Sequence, residues 1–215
     1  MSDWIARAKT ELFSAVIGDI LDTLGFRHQF LPKEIRPLRD DMVVAGRAMT
    51  VLHLDIEMEG ESPFGRMLDA LDGLKPGEVY VTGGGSGDYA LWGELMSTRA
   101  MRCGAAGAVL HGLSRDTPGI LALNFPTFST GRYAQDQRGR GTVTDFRVPV
   151  TVGRVRVNPG DFIFGDLDGV VVIPREVEEQ TLRKALEKAS TENTVRDAIG
   201  KGMSATEAFE RFGVL

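Results

Sequence analysis

The stretch that decides the fold runs from residue 78 to residue 111, EVYVTGGGSGDYALWGELMSTRAMRCGAAGAVLH. Residues 78–82 form an apolar run typical of a buried strand, and six residues rich in glycine follow at 83–88. A helical period begins at about residue 90 and ends at Arg102, and residues 107–111 are again apolar. A strand, a glycine loop, a helix and a strand within about 35 residues predict a βαβ unit. We therefore expect parallel pairing of the two strands and a right-handed crossover.

On the N-terminal side of this unit, the pattern predicts helices followed by strands. Apolar residues recur at helical spacing from Trp4 to Leu12, and Ser14 is predicted to cap a second helix that ends at Gly25. Residues 38–54 are predicted to form strands, and residues 64–74 a helix.

On the C-terminal side, residues 118–157 are predicted to hold short strands and a polar loop. Residues 161–164 and 170–173 are strand candidates, and Asp168-Gly169 between them is a hairpin signal. From Arg175 onward the chain is helical and charged. Since no repeat or linker interrupts the pattern, residues 1–215 are predicted to form a single α/β domain, with central β-sheets flanked by helices.

Composition limits the classes of function. The chain has 215 residues, with 25 Lys and Arg against 30 Asp and Glu, which gives a net charge of −5. This balance provides no electrostatic footprint for nucleic acid or an anionic membrane, so neither is expected as a partner. The single cysteine, Cys103, is predicted to be a buried structural thiol rather than a nucleophile. No secretory signal or membrane span is expected, and the predicted location is cytoplasmic.

The glycine-rich loop at 83–88 is the first candidate site. It lacks the Lys-Ser/Thr pair of a phosphate-binding loop and the glycine spacing of a dinucleotide fold. Two interpretations stay open: a flexible turn, or a loop whose main-chain N–H groups face an anion.

The loop after residues 107–111 is the second candidate, because ligands of open α/β sheets bind beyond the carboxyl ends of strands. It contains Arg115 and Asp116. The pair is either a solvated surface pair, or a site in which Arg115 binds a carboxylate and Asp116 holds a divalent cation. Glu94 lies near the start of the crossover helix, where outward-pointing N–H groups favour an anion.

Several dispersed motifs, in the same order, carry a resemblance to a known family. Glu94 is separated by twenty residues from Arg115-Asp116, an acidic-x20-Arg-Asp signature. The helix at 14–25, the Gly-Arg-Ala-Met-Thr-Val strand at 46–51, and the Pro-Gly-Asp and Asp-Leu-Asp-Gly-Val segments within 159–174 match as well. This pattern resembles the family of the regulator of ribonuclease activity A and the 4-hydroxy-4-methyl-2-oxoglutarate aldolases.

The resemblance implies a fold and an activity. The fold would be of the swivelling β/β/α type, assembled as homotrimers or homohexamers. The activity would be that of a class II aldolase, a lyase that uses Mg²⁺ or Mn²⁺. It would cleave a 4-hydroxy-2-oxo acid such as 4-hydroxy-4-methyl-2-oxoglutarate to pyruvate and a second carbonyl product. Oxaloacetate decarboxylase activity is an expected side reaction.

The resemblance also implies roles for individual residues. Arg115 would bind the carboxylate or enolate of the keto acid, and Asp116 would ligate the metal. The main-chain N–H groups of Gly93, Glu94, Leu95 and Met96 would hold the pyruvyl carboxylate, and Glu94 would contact metal-bound water. Glu192 would reach the metal water of a neighbouring subunit. An ordinary exposed glutamate on a helix is the alternative for Glu192.

The residues favour the metal route independently of the resemblance. A Schiff-base mechanism needs a lysine desolvated in an apolar site, and no lysine lies on a candidate core strand. A divalent ion and a guanidinium would instead stabilise the developing oxyanion electrostatically. The alternative class of function is a non-enzymatic regulator that binds a ribonuclease. Relatives of that kind tend to lose the aspartate after the arginine, whereas Asp116 is present here.

Two further features leave alternatives open, and two more pairs of residues are predicted to be structural. His111 stands where many aldolase-like relatives carry aspartate, and is either a hydrogen-bonded histidine at a strand end or a group that tunes acid–base chemistry. Segment 131–140 contains three arginines. Either it is a solvated loop, or one of these arginines recognises a second carboxylate on the substrate. Asp166 and Asp168 are predicted to be turn formers rather than metal ligands. His28 and His53 are predicted to be structural or on the surface.

Overall fold

The computed structural model describes the backbone of residues 3–213 and the side chains of residues 7–213. Its helices are α1 (Asp3–Glu11), α2 (Ser14–Thr23), α3 (Met67–Asp72), α4 (Glu94–Arg102), α5 (Thr117–Leu123), α6 (Glu178–Gly200) and α7 (Ala205–Phe212), with a 3-10 turn at Arg175–Val177. Its strands are β1 (Arg36–Pro37), β2 (Val44–Asp55), β3 (Glu78–Gly83), β4 (Ala90–Trp92), β5 (Gly107–Leu110), β6 (Leu113–Ser114), β7 (Thr127–Ser129), β8 (Gly131–Arg132), β9 (Gly141–Phe146), β10 (Val150–Val152), β11 (Val155–Val157), β12 (Phe162–Asp166) and β13 (Gly169–Ile173).

The main sheet has eight strands in the order β1-β7-β5-β3-β2-β12-β13, and β9 pairs with the second half of β2. Strands β2, β3, β5 and β7 are mutually parallel, which confirms the parallel pairing of the βαβ unit. Strands β1, β9, β12 and β13 join antiparallel. The ends of the sheet approach each other, because Arg36 on β1 donates hydrogen bonds to the carbonyls of Leu167 and Asp168. The mixed sheet is therefore nearly closed.

Alternating side chains on the antiparallel hairpin of β12 and β13 bind two apolar layers together. Phe162 and Phe164 pack into the layer beneath α1, α2 and α6, whereas Ile163 between them packs into the layer on the other side of the sheet. The predicted hairpin around Asp168-Gly169 is confirmed. The result is a single compact α/β domain with helices flanking the sheet.

A second, smaller sheet positions the candidate site. It contains the three short parallel strands β4, β6 and β8, in the order β4-β6-β8. Each of its strands follows the end of a main-sheet strand, after β3, β5 and β7 respectively. The loops that leave the main sheet are thereby gathered side by side.

Three sequence predictions need correction. The crossover helix begins at Glu94 rather than near residue 90, because residues 90–92 form β4. Residues 117–123 form a helix, α5, where strands and loop were expected. Ser14 is not the cap of α2; it is the first helical residue, and its N–H and Oγ–H both donate to the carboxylate of Asp166.

Asp166 and Asp168 behave as the predicted turn formers. The same Asp166 carboxylate that holds the start of α2 also accepts the N–H of Asp168 across the turn. Cys103 lies at the end of α4 and is half-buried against the core, so it is less enclosed than predicted. Within residues 3–213, none of the helices combines the length and the apolar character that a membrane crossing requires.

Candidate functional site

Arg115 and Asp116 lie between β6 and α5, at the edge where the small sheet meets α4. The N–H of Arg115 donates to the carbonyl of Trp92 at 2.9 Å, which fixes the loop against the junction of β4 and α4. The twenty residues that separate Glu94 from Arg115 in the sequence therefore fold back so that the two motifs meet.

The backbone of Asp116 is held in an unusual conformation. Its φ of 55° and ψ of 33° are left-handed, a region that aspartate and asparagine tolerate better than most residues. Its Oδ2 atom accepts the N–H of Glu94 at 3.4 Å. A Cβ atom on Gly93 would come within 2.5 Å of that oxygen, so glycine at position 93 is what permits this close approach.

The guanidinium of Arg115 lies between two carboxylates. Its Nε is 3.8 Å from Asp116 Oδ2, and its Nη1 is 3.7 Å from Asp136 Oδ1. These separations exceed those of good hydrogen bonds, so the guanidinium is oriented by charge while its donors stay available. The side chain is 38% exposed, which leaves it accessible to a small ligand.

The start of α4 supplies further donors. The first N–H groups of an α-helix have no intrahelical acceptor. That of Glu94 donates to Asp116, and Leu95 and Met96 line the same cavity as Arg115. The helix start is anchored beneath, where Trp92 Nε1 donates to Ser97 Oγ at 2.7 Å. The indole of Trp92 is fully buried, and its ring centroid is 4.9 Å from that of Tyr80, so the packing beneath the start of α4 is rigid.

These elements enclose a cavity of about 250 Å³. One end is charged and polar, and is lined by Arg115, Asp116, Asp136 and Gln137. An apolar wall makes up most of the rest of the lining, with side chains that come from the α3 region and from the start of α4. Its main members are Phe64, Met67, Leu68, Leu71, Leu95 and Met96. No lysine is among the described residues that line this cavity, in keeping with the prediction against a Schiff base.

Asp136 and Gln137 are site residues that the sequence did not indicate. They lie in the polar segment 131–140, in which the arginines were the predicted candidates. Gln137 is buried, and its Oε1 accepts a hydrogen bond from His53 Nε2 at 3.1 Å. His53 is fully buried, and burial lowers its pKa, so the imidazole is a neutral structural support as predicted. The exposed His28 also fits its prediction.

The three arginines of that segment have partners of their own. Arg132 Nη2 donates to the carbonyl of Leu38, Arg138 pairs with Glu59, and Arg140 donates to the carbonyl of Asp136. None of the three lines the cavity within the described residues. Arg132 does line a neighbouring open groove on the other side of Arg115. The segment thus contributes a carboxylate, Asp136, to the cavity.

The glycine-rich loop 83–88 does bind an anion, but the anion is a carboxylate of the chain itself. The N–H of Ser86 donates to both oxygens of Asp55, at 3.0 and 2.8 Å. Tyr89 also donates its hydroxyl to Asp55 at 2.6 Å, and this hydrogen bond, followed by those from Ser86, lowers the pKa of the carboxyl. The loop therefore has a structural role, in which it binds a side chain of its own chain.

His111 follows β5, and its side chain lies outside the cavity lining. Its N–H donates to Thr82 Oγ1 at 2.9 Å, but the imidazole Nδ1 is buried with no hydrogen-bond partner. Burial lowers its pKa, which favours the neutral imidazole. The described residues give Nδ1 no partner, so both interpretations of His111, a hydrogen-bonded histidine at a strand end and a group that tunes acid–base chemistry, stay predictions.

Of the predicted site residues, the structure brings together Arg115, Asp116, Glu94 and the segment 93–96. The Glu94 side chain lies over Gly119 at the start of α5, where any Cβ would collide with it. Glu192 is elsewhere, on α6, with its Oε1 3.8 Å from Lys188 Nζ. It does not line the cavity of its own chain.

The donor set fits a divalent cation bound largely by water. Across the part of the chain that the structure describes, no three His, Cys, Asp or Glu side chains converge as a metal-binding group. Mg²⁺ commonly binds through one or two carboxylates and keeps several waters. Asp116, which lines the cavity and whose Oδ2 lies against Gly93, provides such a carboxylate.

Fold and cavity together define a class: a one-domain α/β protein whose nearly closed mixed sheet carries an arginine–carboxylate cavity at its edge. The family model RraA-like (Aldolase/RraA) matches residues 14–172, and the chain belongs to this family.

Individual relatives agree with that membership. The chain is 33% identical to a Halalkalibacterium halodurans protein named "Putative 4-hydroxy-4-methyl-2-oxoglutarate aldolase", over 96% of this chain and 93% of that one. It is 32% identical to protein DlpA of Legionella pneumophila, over 93% of this chain but only 32% of DlpA. Among solved structures it resembles Streptomyces coelicolor RraAS2, described as an unusual member of the RNase ES inhibitor RraA protein family. That match has a TM-score of 0.79 at 25% identity, and covers 91% of this chain and 96% of RraAS2.

Proposed function

We propose that this protein is a divalent-metal-dependent aldolase of the class II type. It cleaves a 4-hydroxy-2-oxo acid, such as 4-hydroxy-4-methyl-2-oxoglutarate, to pyruvate and a second carbonyl compound, and it decarboxylates oxaloacetate as a side reaction. The observation that carries the proposal is the meeting of Arg115, Asp116 and the start of α4 around one cavity. The aldolase names of its relatives support the same reaction class.

The residues divide the work as follows. The N–H groups of segment 93–96 receive the substrate carboxylate, where the helix dipole favours an anion. The Arg115 guanidinium faces the 2-oxo oxygen and stabilises the negative charge that develops there as the carbon–carbon bond breaks. Mg²⁺ or Mn²⁺, held by Asp116, would supply Lewis acidity at this oxygen.

A base must also remove the proton of the substrate's 4-hydroxyl group. We assign proton transfer to the carboxylates of Glu94 and Glu192, with Glu192 contributed by a neighbouring subunit of a homotrimer or homohexamer. Glu94 is the exposed first residue of α4, beside the cavity but not among its lining residues, whereas Glu192 lies on α6, also outside the cavity lining of its own chain. Decarboxylation of oxaloacetate generates the same enolate, so the same groups would serve it.

The direct test is an oxaloacetate assay with and without Mg²⁺. We expect pyruvate to form at least about tenfold faster than with Mg²⁺ alone, because a preorganised site stabilises the enolate better than a hydrated ion does. EDTA should return the rate to background. The alternative function, binding and inhibiting a ribonuclease, predicts no pyruvate above the metal-only control. That result, for both oxaloacetate and the 4-hydroxy-2-oxo acid, would contradict the proposal.

The shared site makes a separate prediction. Asp116→Asn and Glu192→Ala chains should each lose most activity alone. Co-refolded in equal amounts, they should recover about a quarter of wild-type activity, because that share of interfaces in a symmetric oligomer pairs an intact Asp116 with an intact Glu192. Glu187→Ala, on the same helix in an exposed pair with Arg183, is the matched control and should stay active.

Two results would contradict the shared site. One is full activity of Glu192→Ala by itself, which would make it an ordinary helix glutamate. The other is a mixture that recovers nothing although mass measurements show mixed oligomers, since a site built within one chain leaves every protomer defective.

A further inference from the structure

We infer that the half of the substrate released as the second carbonyl compound is apolar, so that the preferred substrate is a monocarboxylic 4-hydroxy-2-oxo acid with a short alkyl tail. The inference rests on the proposed function and names the substrate class of the same cavity. Within the proposed class of substrates, it makes a dicarboxylic one such as 4-hydroxy-4-methyl-2-oxoglutarate the less favoured.

Charge is the first argument. Among the described residues that line the cavity, Arg115 is the one cation, and it is flanked by the carboxylates of Asp116 and Asp136. A single guanidinium can neutralise one substrate carboxylate or oxyanion. The guanidinium, and the divalent cation that the proposed function places at Asp116, both act on the pyruvyl half. A second carboxylate on the distal half would then meet no further cationic side chain among the described residues that line the cavity, and removing it from water without a partner is costly.

The second argument comes from the apolar wall of the cavity. Phe64, Met67 and Leu71 come from the α3 region, and Met96 faces them from α4. Met67 and Leu71 are buried, whereas Leu68 on the rim is 59% exposed. A side of the cavity built from these groups gains free energy by covering an alkyl tail and offers no hydrogen bond to a polar one.

The two α-helices that form this wall are held together. Arg99 on α4 donates to Asp72 on α3 at 2.7 Å. The apolar wall and the charged residues line the same cavity, so one small bifunctional ligand can contact both. Arg132 faces the separate groove beyond Arg115, with one of its donors occupied by the carbonyl of Leu38.

The experiment compares four substrates with the Mg²⁺-loaded protein. Three are 4-hydroxy-2-oxo acids that carry a methyl, ethyl or propyl group at C4, and the fourth is 4-hydroxy-4-methyl-2-oxoglutarate. Pyruvate release gives kcat/KM for each. We expect about a three- to fourfold increase for each added methylene, the value of burying one such group. The propyl substrate should exceed the dicarboxylate at least tenfold.

A rim variant tests the wall directly. Leu68→Lys places an ammonium beside the distal half, and should shift the preference toward the dicarboxylate at least tenfold. Leu167→Lys, at a comparably exposed leucine on the turn between β12 and β13, should leave the preference unchanged. Native mass is measured for both variants.

Each other outcome overturns the inference in a recognisable way. Preference for the dicarboxylate, or no dependence on tail length, refutes the apolar tail but leaves the aldolase standing, since pyruvate is still released. If oxaloacetate is turned over but none of the four substrates is cleaved, the apolar tail is likewise refuted. Loss of oligomer mass in Leu68→Lys alone assigns the wall to a subunit contact. No pyruvate from any substrate, oxaloacetate included, refutes the proposed function itself.

Discussion

Asp116→Asn is expected to lower turnover by roughly 1,000-fold or more, because a neutral amide cannot hold the cation whose Lewis acidity contributes several kcal/mol. Asparagine is the sharpest replacement here. It tolerates the left-handed backbone of Asp116, and its amide oxygen can still accept the N–H of Glu94. Alanine would add backbone strain of about 1 kcal/mol, which confuses folding with chemistry.

Three measurements accompany this variant. Mn²⁺ binding, followed by calorimetry, should be lost together with turnover. The midpoint of thermal unfolding without metal should stay close to that of the wild type. Asp168→Asn removes an exposed carboxylate from the β12–β13 turn and should change neither readout. Undiminished turnover of Asp116→Asn, or of the wild type in EDTA, would disprove the metal mechanism.

Arg115→Lys is expected to be nearly as damaging as Arg115→Ala. The planar guanidinium offers a fork of donors, and the structure aims it into the cavity between Asp116 and Asp136. An ammonium cannot reproduce that geometry. The loss of transition-state stabilisation should be on the order of 2–4 kcal/mol, or roughly 30- to 1,000-fold in kcat.

The matched control for this change is Arg183→Lys on α6, an exposed arginine that pairs with Glu187. It should retain full activity, because a surface pair contributes little. If Arg115→Lys kept activity within threefold of the wild type, Arg115 would be acting only as a positive charge, and the assigned fork to the oxyanion would be wrong.

The parts of the fold that the sequence predicted correctly are those with a strong local signal. The apolar runs of β12 and β13, and the glycine at the turn between them, are visible in a dozen residues. The residues of β4 were predicted to belong to the crossover helix, because these three apolar residues, just before α4, continue the apolar pattern of that helix. Helix α5 is short, and it begins directly after Asp116, whose left-handed backbone is not indicated by any periodicity of the sequence.

The candidate site divides in the same way. Arg115, Asp116 and Glu94 were predicted because strand ends and helix starts are recognisable, and because the resemblance joins them. Asp136 and Gln137 were missed, since their place depends on the path of a loop from β8 to β9 and on a partner, His53, that is 84 residues away from Gln137 in sequence. Such long-range pairing leaves no mark on local spacing.

The twelve-residue strand β2 has a consequence for how firmly the site is held. Its first half pairs with β12, its second half with β9, and its other edge with β3. His53, near its end, reaches Gln137 at the cavity. A loosening of the cavity would thus have to disturb the central strand, so the charged groups are fixed before a ligand arrives. Little reorganisation of these charged groups then opposes the reaction. The geometry around Arg115 is stabilised by the cooperative folding of the whole domain.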